Sequence, residues 1–161
     1  MALAVLPRFE GRLGDTLTAL GLVEPVSLFR HIAAQVREKL LDLFGWVGGR
    51  ATLWRGADVP ESAFPLGLDA GSILEEGVAR RLAQGLDEGL LGGGPDVCLS
   101  RVEPAPAGLD PARLPVNARA WLARLAVPIP MRTLGSGNGD PAGDARVAAI
   151  LLVRLGLARI A

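Results

Sequence analysis

Glycine and proline punctuate this chain so densely that no element of secondary structure runs long: 21 glycines and 12 prolines fall within 161 residues. In a helix interior a glycine costs about 1 kcal/mol and a proline about 3 kcal/mol relative to alanine, so helices must fit between them. The longest apolar run, Val147 to Val153, sits inside a helical pattern and is far shorter than a membrane span requires. A chain cut this way is expected to assemble short helices and strands into a helix-rich α+β fold.

Half of the residues are hydrophobic, which excludes intrinsic disorder. Seventeen basic and seventeen acidic residues cancel, and the pI is about 6.6. A nucleic-acid binder needs a basic footprint to neutralise phosphates, so nucleic acid is not an expected partner. One cysteine, Cys98, permits no intramolecular disulfide, and one histidine, His31, leaves a zinc site or a Ser-His-Asp triad short of material. The chain is therefore expected to be non-enzymatic, with no catalytic residue, metal or cofactor assigned. The opening segment, Met1 to Leu6, lacks a basic leader and ends at Pro7, so it does not read as a signal peptide. Cytoplasmic residence without membrane insertion is the expectation.

Periodicity organises the chain. Leu13, Leu17 and Leu20 have helical spacing, Gly21 interrupts, and from Pro25 a longer helix places Leu28, Phe29, Ile32, Val36, Leu40, Leu43 and Phe44 on one broad face until Gly45. Two β-prone runs, Trp46-Val47 and Arg50 to Trp54, flank Gly48-Gly49 and predict a two-stranded ribbon. Residues 56 to 67 read as a loop held down by Phe64 and Leu66. Asp69 is placed as the N-cap of a helix over 70–83. The glycine-rich stretch 84–95 predicts a hinge between a first module, 1–90, and a second, 96–161. The second opens with a strand over 97–102. Asp110-Pro111 reads as a helix start, a helix covers 116–125, Gly135 to Asp140 form a loop, and Asp144 caps a helix that Gly156 ends. Leu157 to Ile160 predict a last strand, which together suggests a small winged-helix-like unit.

Arg12-Leu13-Gly14, Leu17, Gly21, Val23, Leu28, Ile32 and Gln35 form a pattern over twenty-four residues that resembles the N-terminal domain of secretion and pilus-assembly ATPases, one branch of which binds cyclic di-GMP. The resemblance implies a nucleotide site at Arg12, Leu13, Gly14, Leu17, Leu28 and Gln35. Independently of the family, an arginine fork suits the O6/N7 edge of a guanine, and a Leu-Gly step lets a backbone amide approach a phosphate. The same leucines at helical spacing also make an ordinary hairpin core.

A second resemblance spans roughly residues 8 to 82. Phe9 to Leu13, Val36 to Trp46, Gly49 to Gly56 and Phe64 to Asp69 are similar to non-catalytic, PATAN-type modules attached to myxobacterial signalling proteins and serine/threonine kinases. It implies adaptor work, since no kinase catalytic motif stands in the chain. Trp46 and Trp54 are candidate anchors for a partner, tryptophan being enriched at interface hot spots, and equally candidate plugs of the local core. His31, Cys98 and the glycine loop of 135–139 lack the neighbours that a base, a reactive thiol or a phosphate loop needs, and read as structural. A mean hydropathy of +0.34 predicts apolar surface awaiting a partner or a second copy. The reading is a regulatory or scaffolding module that docks a partner protein in bacterial signalling or motility; the alternative is a cyclic di-GMP sensor.

Overall fold

The computed structural model describes residues 12–52, 65–86, 97–135 and 142–161. Among them lie helices α1 (Leu13–Ala19), α2 (Pro25–Asp42), α3 (Ala70–Ala83), α4 (Val116–Arg124) and α5 (Ala142–Arg154), with strands β1 (Cys98–Arg101), β2 (Ile129–Pro130) and β3 (Ala158–Ile160). The strands make one antiparallel sheet with β1 in the centre, in the order β2-β1-β3. The fold is thus the helix-rich α+β class that the sequence predicts. Contacts divide the chain into two compact units: Met1–Leu40 with Arg50–Leu68, and Leu41–Gly49 with Asp69–Ala161.

The second unit is built around α5. Residues Val147 to Leu152 are all buried, six in succession, so the middle of this helix is enclosed on every side, while Asp144, Arg146 and Arg154 toward its ends stay exposed. Ala145, Ala148 and Ala149 are among its buried residues, and α3 and α4 both pack against it. Val78 of α3, with Ala118, Trp121, Leu122 and Leu125 in and after α4, completes the shell, and Leu99 of β1 is wholly buried beneath it. Leu99 stands opposite both Ile129 and Ile160, so one residue ties both edge strands to the core. The guanidinium of Arg124 lies 4.1 Å from the centroid of the Trp121 ring and covers it.

Local sequence explains the helix ends. Gly156 has φ +72°, the N–H of Leu157 donates to the carbonyl of Leu152 and that of Gly156 to Val153, the Schellman closure that a left-handed residue permits. Gly21 and Gly85 end α1 and α3 with the same bonds. At the other end of α3, the Asp69 carboxylate accepts the N–H of Ser72 at 2.7 Å and its hydroxyl at 2.6 Å. These two bonds, the hydroxyl's first, hold the Asp69 carboxyl below the ordinary aspartate range. Glu76 and Arg80 pair at 2.7 Å one turn apart along α3.

Several expectations are corrected. Residues 46–52 carry no strand; the chain bends so that Gly49 lies against the Trp46 ring, which removes the first arm of the ribbon predicted over 46–54. Trp54 and Phe64 lie outside the described residues. The grouping also differs from a division at 84–95, because α3 belongs with the C-terminal helices. Phe44, in the 3-10 turn Leu43–Gly45 after α2, rests on Gly77 of α3, and a Cβ at Gly77 would clash with the ring. Arg81 donates to the carbonyl of Phe44 at 2.7 Å and to that of Trp46 at 3.2 Å, closing the same contact with charge-assisted bonds. The helix start expected at Asp110-Pro111 is a single 3-10 turn, Pro111–Arg113, capped by Asp110. Gly135 ends a 3-10 turn, Met131–Gly135, rather than opening a loop, and Ser136 to Asp140 lie outside the described residues.

Two outcomes follow from this packing. Gly77→Ala should destabilise the protein by about 1 to 3 kcal/mol, the cost of overpacking a filled contact, read as a lower denaturation midpoint in urea; an unchanged midpoint would show that Phe44 is not seated there. Because the folded Asp69 carboxyl is depressed, its stabilisation is present above the unfolded aspartate pKa of roughly 3.9 and is lost as pH falls through the folded value. Asp69→Ala should therefore lower Tm at neutral pH, with the gap to wild type closing below about pH 4.

Candidate functional site

The first unit carries a groove of about 440 Å³ along α1 and α2. Arg12 occupies the N-cap of α1 in extended conformation and makes no side-chain cap; its Nε lies 3.2 Å from the Asp15 carboxylate, with both side chains well exposed. The hydroxyls of Thr16 and Thr18 donate to the carbonyls of Arg12 and Gly14, one helical turn back, so α1 satisfies its own polar groups. Across the groove Leu28 of α2 lies against Gly14, whose missing side chain makes the approach possible: an added Cβ would sit 3.1 Å from Leu28 Cδ2. Pro25, Phe29 and Ile32 continue the α2 wall at helical spacing.

Of the six residues assigned to a nucleotide, Arg12, Gly14 and Leu28 line this groove. Leu13, Leu17 and Gln35 do not; Leu13 and Gln35 are exposed elsewhere on the helices, and Leu17 is half-buried. The groove instead recruits Asp15, Thr18 and Phe29, which the sequence reading did not assign. Phe29 was legible from its spacing, one residue after Leu28 and three before Ile32, while the part played by Asp15 depends on how α1 lies beside α2.

Trp46 is 60% exposed, and its carbonyl is held by Arg81. Its companion anchor Trp54 lies outside the described residues. His31 is exposed on α2. Cys98 is a free, half-buried thiol in β1. Among the described residues, no three His, Cys, Asp or Glu side chains come together to hold a metal ion, and no helix is long and apolar enough to cross a membrane.

The second unit has hollows of a different kind. A polar cleft of about 760 Å³ gathers Asp69, Ser72, Arg113, Asn117, Arg119 and Asp144 where α3, α4 and α5 begin. Its polar groups are largely engaged with the fold: Asn117 donates to the carbonyl of Asp144 at 3.0 Å and Arg119 to that of Ala112 at 3.1 Å. An apolar cavity of about 350 Å³ lies beside Leu74, Leu109, Leu114, Leu151 and Leu155.

Among the described residues, one run of exposed apolar side chains spans the turn between α1 and α2 and the start of α2. Leu20, Leu22, Val26 and Phe29 are exposed over 44 to 60% of their area, within ten residues of one another. No family model, curated protein or solved structure matches the chain.

Proposed function

We propose that this chain is a non-enzymatic docking module that binds a partner protein through the α1–α2 region of its first unit. The observation that carries the reading is the cluster of exposed Leu20, Leu22, Val26 and Phe29 beside an open apolar groove. Water-exposed apolar side chains in such a group gain roughly 25 cal/mol per Å² when covered, and the groove offers an anchoring side chain somewhere to go. On this reading the second unit is the winged-helix-like scaffold, its rigidity supplied by α5. The resemblance to PATAN-type modules agrees with adaptor work in bacterial signalling or motility.

One observation favours a second reading, a cyclic di-GMP sensor: Arg12, Gly14 and Leu28 share a single groove. Arg12 would have to leave Asp15 to present its fork to a guanine, and Gln35 would have to act from outside the groove.

Two measurements separate the readings. A photo-reactive benzoylphenylalanine at position 22 should give one discrete cross-linked adduct in the native host, abolished by Val26→Glu, while the same probe at the exposed position 113 gives none. Equal labelling at both positions, or no adduct, would end the docking reading. Calorimetric titration with cyclic di-GMP should show no saturable heat up to millimolar ligand. Saturable heat lost in both Arg12→Ala and Gln35→Ala would establish the nucleotide sensor instead.

A further inference from the structure

The docking reading leaves open what kind of partner the α1–α2 face takes, and α2 itself carries the answer. Along this helix Val26, Phe29, Ala33, Val36 and Leu40 follow one another at intervals of three, four, three and four residues. That spacing is the a/d repeat of a coiled-coil seam, sustained over about 21 Å of helix. In a hairpin core such a stripe is normally covered. Here Val26 is 60% exposed, Phe29 47% and Leu40 38%, with Ala33 and Val36 half-buried.

The flanks of the seam set the partner's charge. With Val26 at a and Phe29 at d, the e positions are Arg30 and Arg37 and the g positions Ile32 and Lys39. Three of the four flanking residues are cationic and none is acidic. Arg37 is half-buried and bonds Glu38 at 3.4 Å, yet Glu38 falls at f, away from the seam. In a two-helix pair the e and g positions of one helix meet those of the other, and like charges there oppose pairing in either orientation. A second copy of this chain would set Arg30, Arg37 and Lys39 against their own kind. An acidic helix would meet complementary charge along the whole seam.

We propose that α2 docks an amphipathic helix of a partner protein, apolar at its a and d positions and flanked by Asp or Glu. The inference rests on the docking reading and sharpens it. Phe29 belongs both to the seam and to the groove wall, so a helix lying along α2 brings one large apolar side chain to the groove between Leu28, Ile32 and Gly14. Its apolar contacts supply affinity, and the cationic flanks select the partner and its register.

The test uses the full chain and two labelled synthetic helices, each of three heptads with leucine at a and d. One carries glutamate at e and g, the other lysine. By fluorescence anisotropy at about 50 mM salt, the glutamate-flanked helix should bind at least roughly tenfold more tightly than the lysine-flanked one. The gap should narrow at about 500 mM salt, where exposed charges are screened. The double variant Arg30→Glu, Arg37→Glu should invert the preference, an outcome that an unfolded protein does not produce. Phe29→Glu should weaken both helices. Equal affinities, or a preference unmoved by the charge reversal, would overturn the charge assignment and leave the docking reading intact. Binding of neither helix would overturn the inference, the docking reading then standing or falling on the cross-link at position 22. A dimer that sedimentation detects and Phe29→Glu dissociates would assign the seam to a second copy and overturn it as well.

Discussion

The enclosure of α5 is the constraint on which the second unit depends. Six successive buried residues leave the middle of that helix no wet face, so α3, α4 and the sheet must all close around it. Three of its buried residues are alanines, and interiors packed at crystal-like density leave little tolerance for larger groups. The sheet is small, with a two-residue edge strand containing Pro130, and gains its stability from this roof rather than from its own length. Within this unit Gly85 and Gly156, both left-handed, let α3 and α5 stop abruptly.

A second contact decides where the unit ends. Phe44 seated on Gly77, with Arg81 bonding two carbonyls beyond the end of α2, gathers Leu41–Gly49 to the C-terminal helices. The first unit is of a different character. It has no helix buried on all sides among its described residues, and its hairpin leaves apolar side chains in water. A core satisfied in one unit and an apolar face left open in the other is the division of labour expected of a scaffold that presents a docking surface. For the partner helix proposed above, the cationic flanks of α2 would add selectivity without adding much affinity, since exposed charges act mainly on partner choice and encounter.

Much of this was legible along the chain. Asp69 as an N-cap, Gly21 and Gly156 as helix ends and the long helix from Pro25 rest on interactions within about five residues, which local sequence controls directly; the strands near Cys98 and Ile160 were legible from their β-prone side chains, although their pairing joins residues about sixty apart. The ribbon over 46–54 failed at residues 46–52 for the opposite reason: β-prone side chains there are overruled by the seating of Phe44 on Gly77 and the bonds of Arg81 to the carbonyls of Phe44 and Trp46, contacts that span more than thirty residues of chain. Arg12, Gly14 and Leu28 were singled out together and do share one groove. Gln35 shares their motif and not their place, because the groove runs along Pro25, Leu28, Phe29 and Ile32 of α2 and Gln35 is absent from its walls.

The amino-acid sequence by itself determined the helix-rich α+β class, the starts and stops of most helices, the apolar run Val147 to Val153 within α5 and the heptad spacing of α2. Only the tertiary structure decided which apolar stripes are covered. The stripe of α5 found three partners and vanished into a core, whereas that of α2 kept Val26, Phe29 and Leu40 in water. Spacing is a property of one segment, but burial belongs to pairs of segments distant in the chain, and only their packing against each other tells a covered stripe from an exposed one.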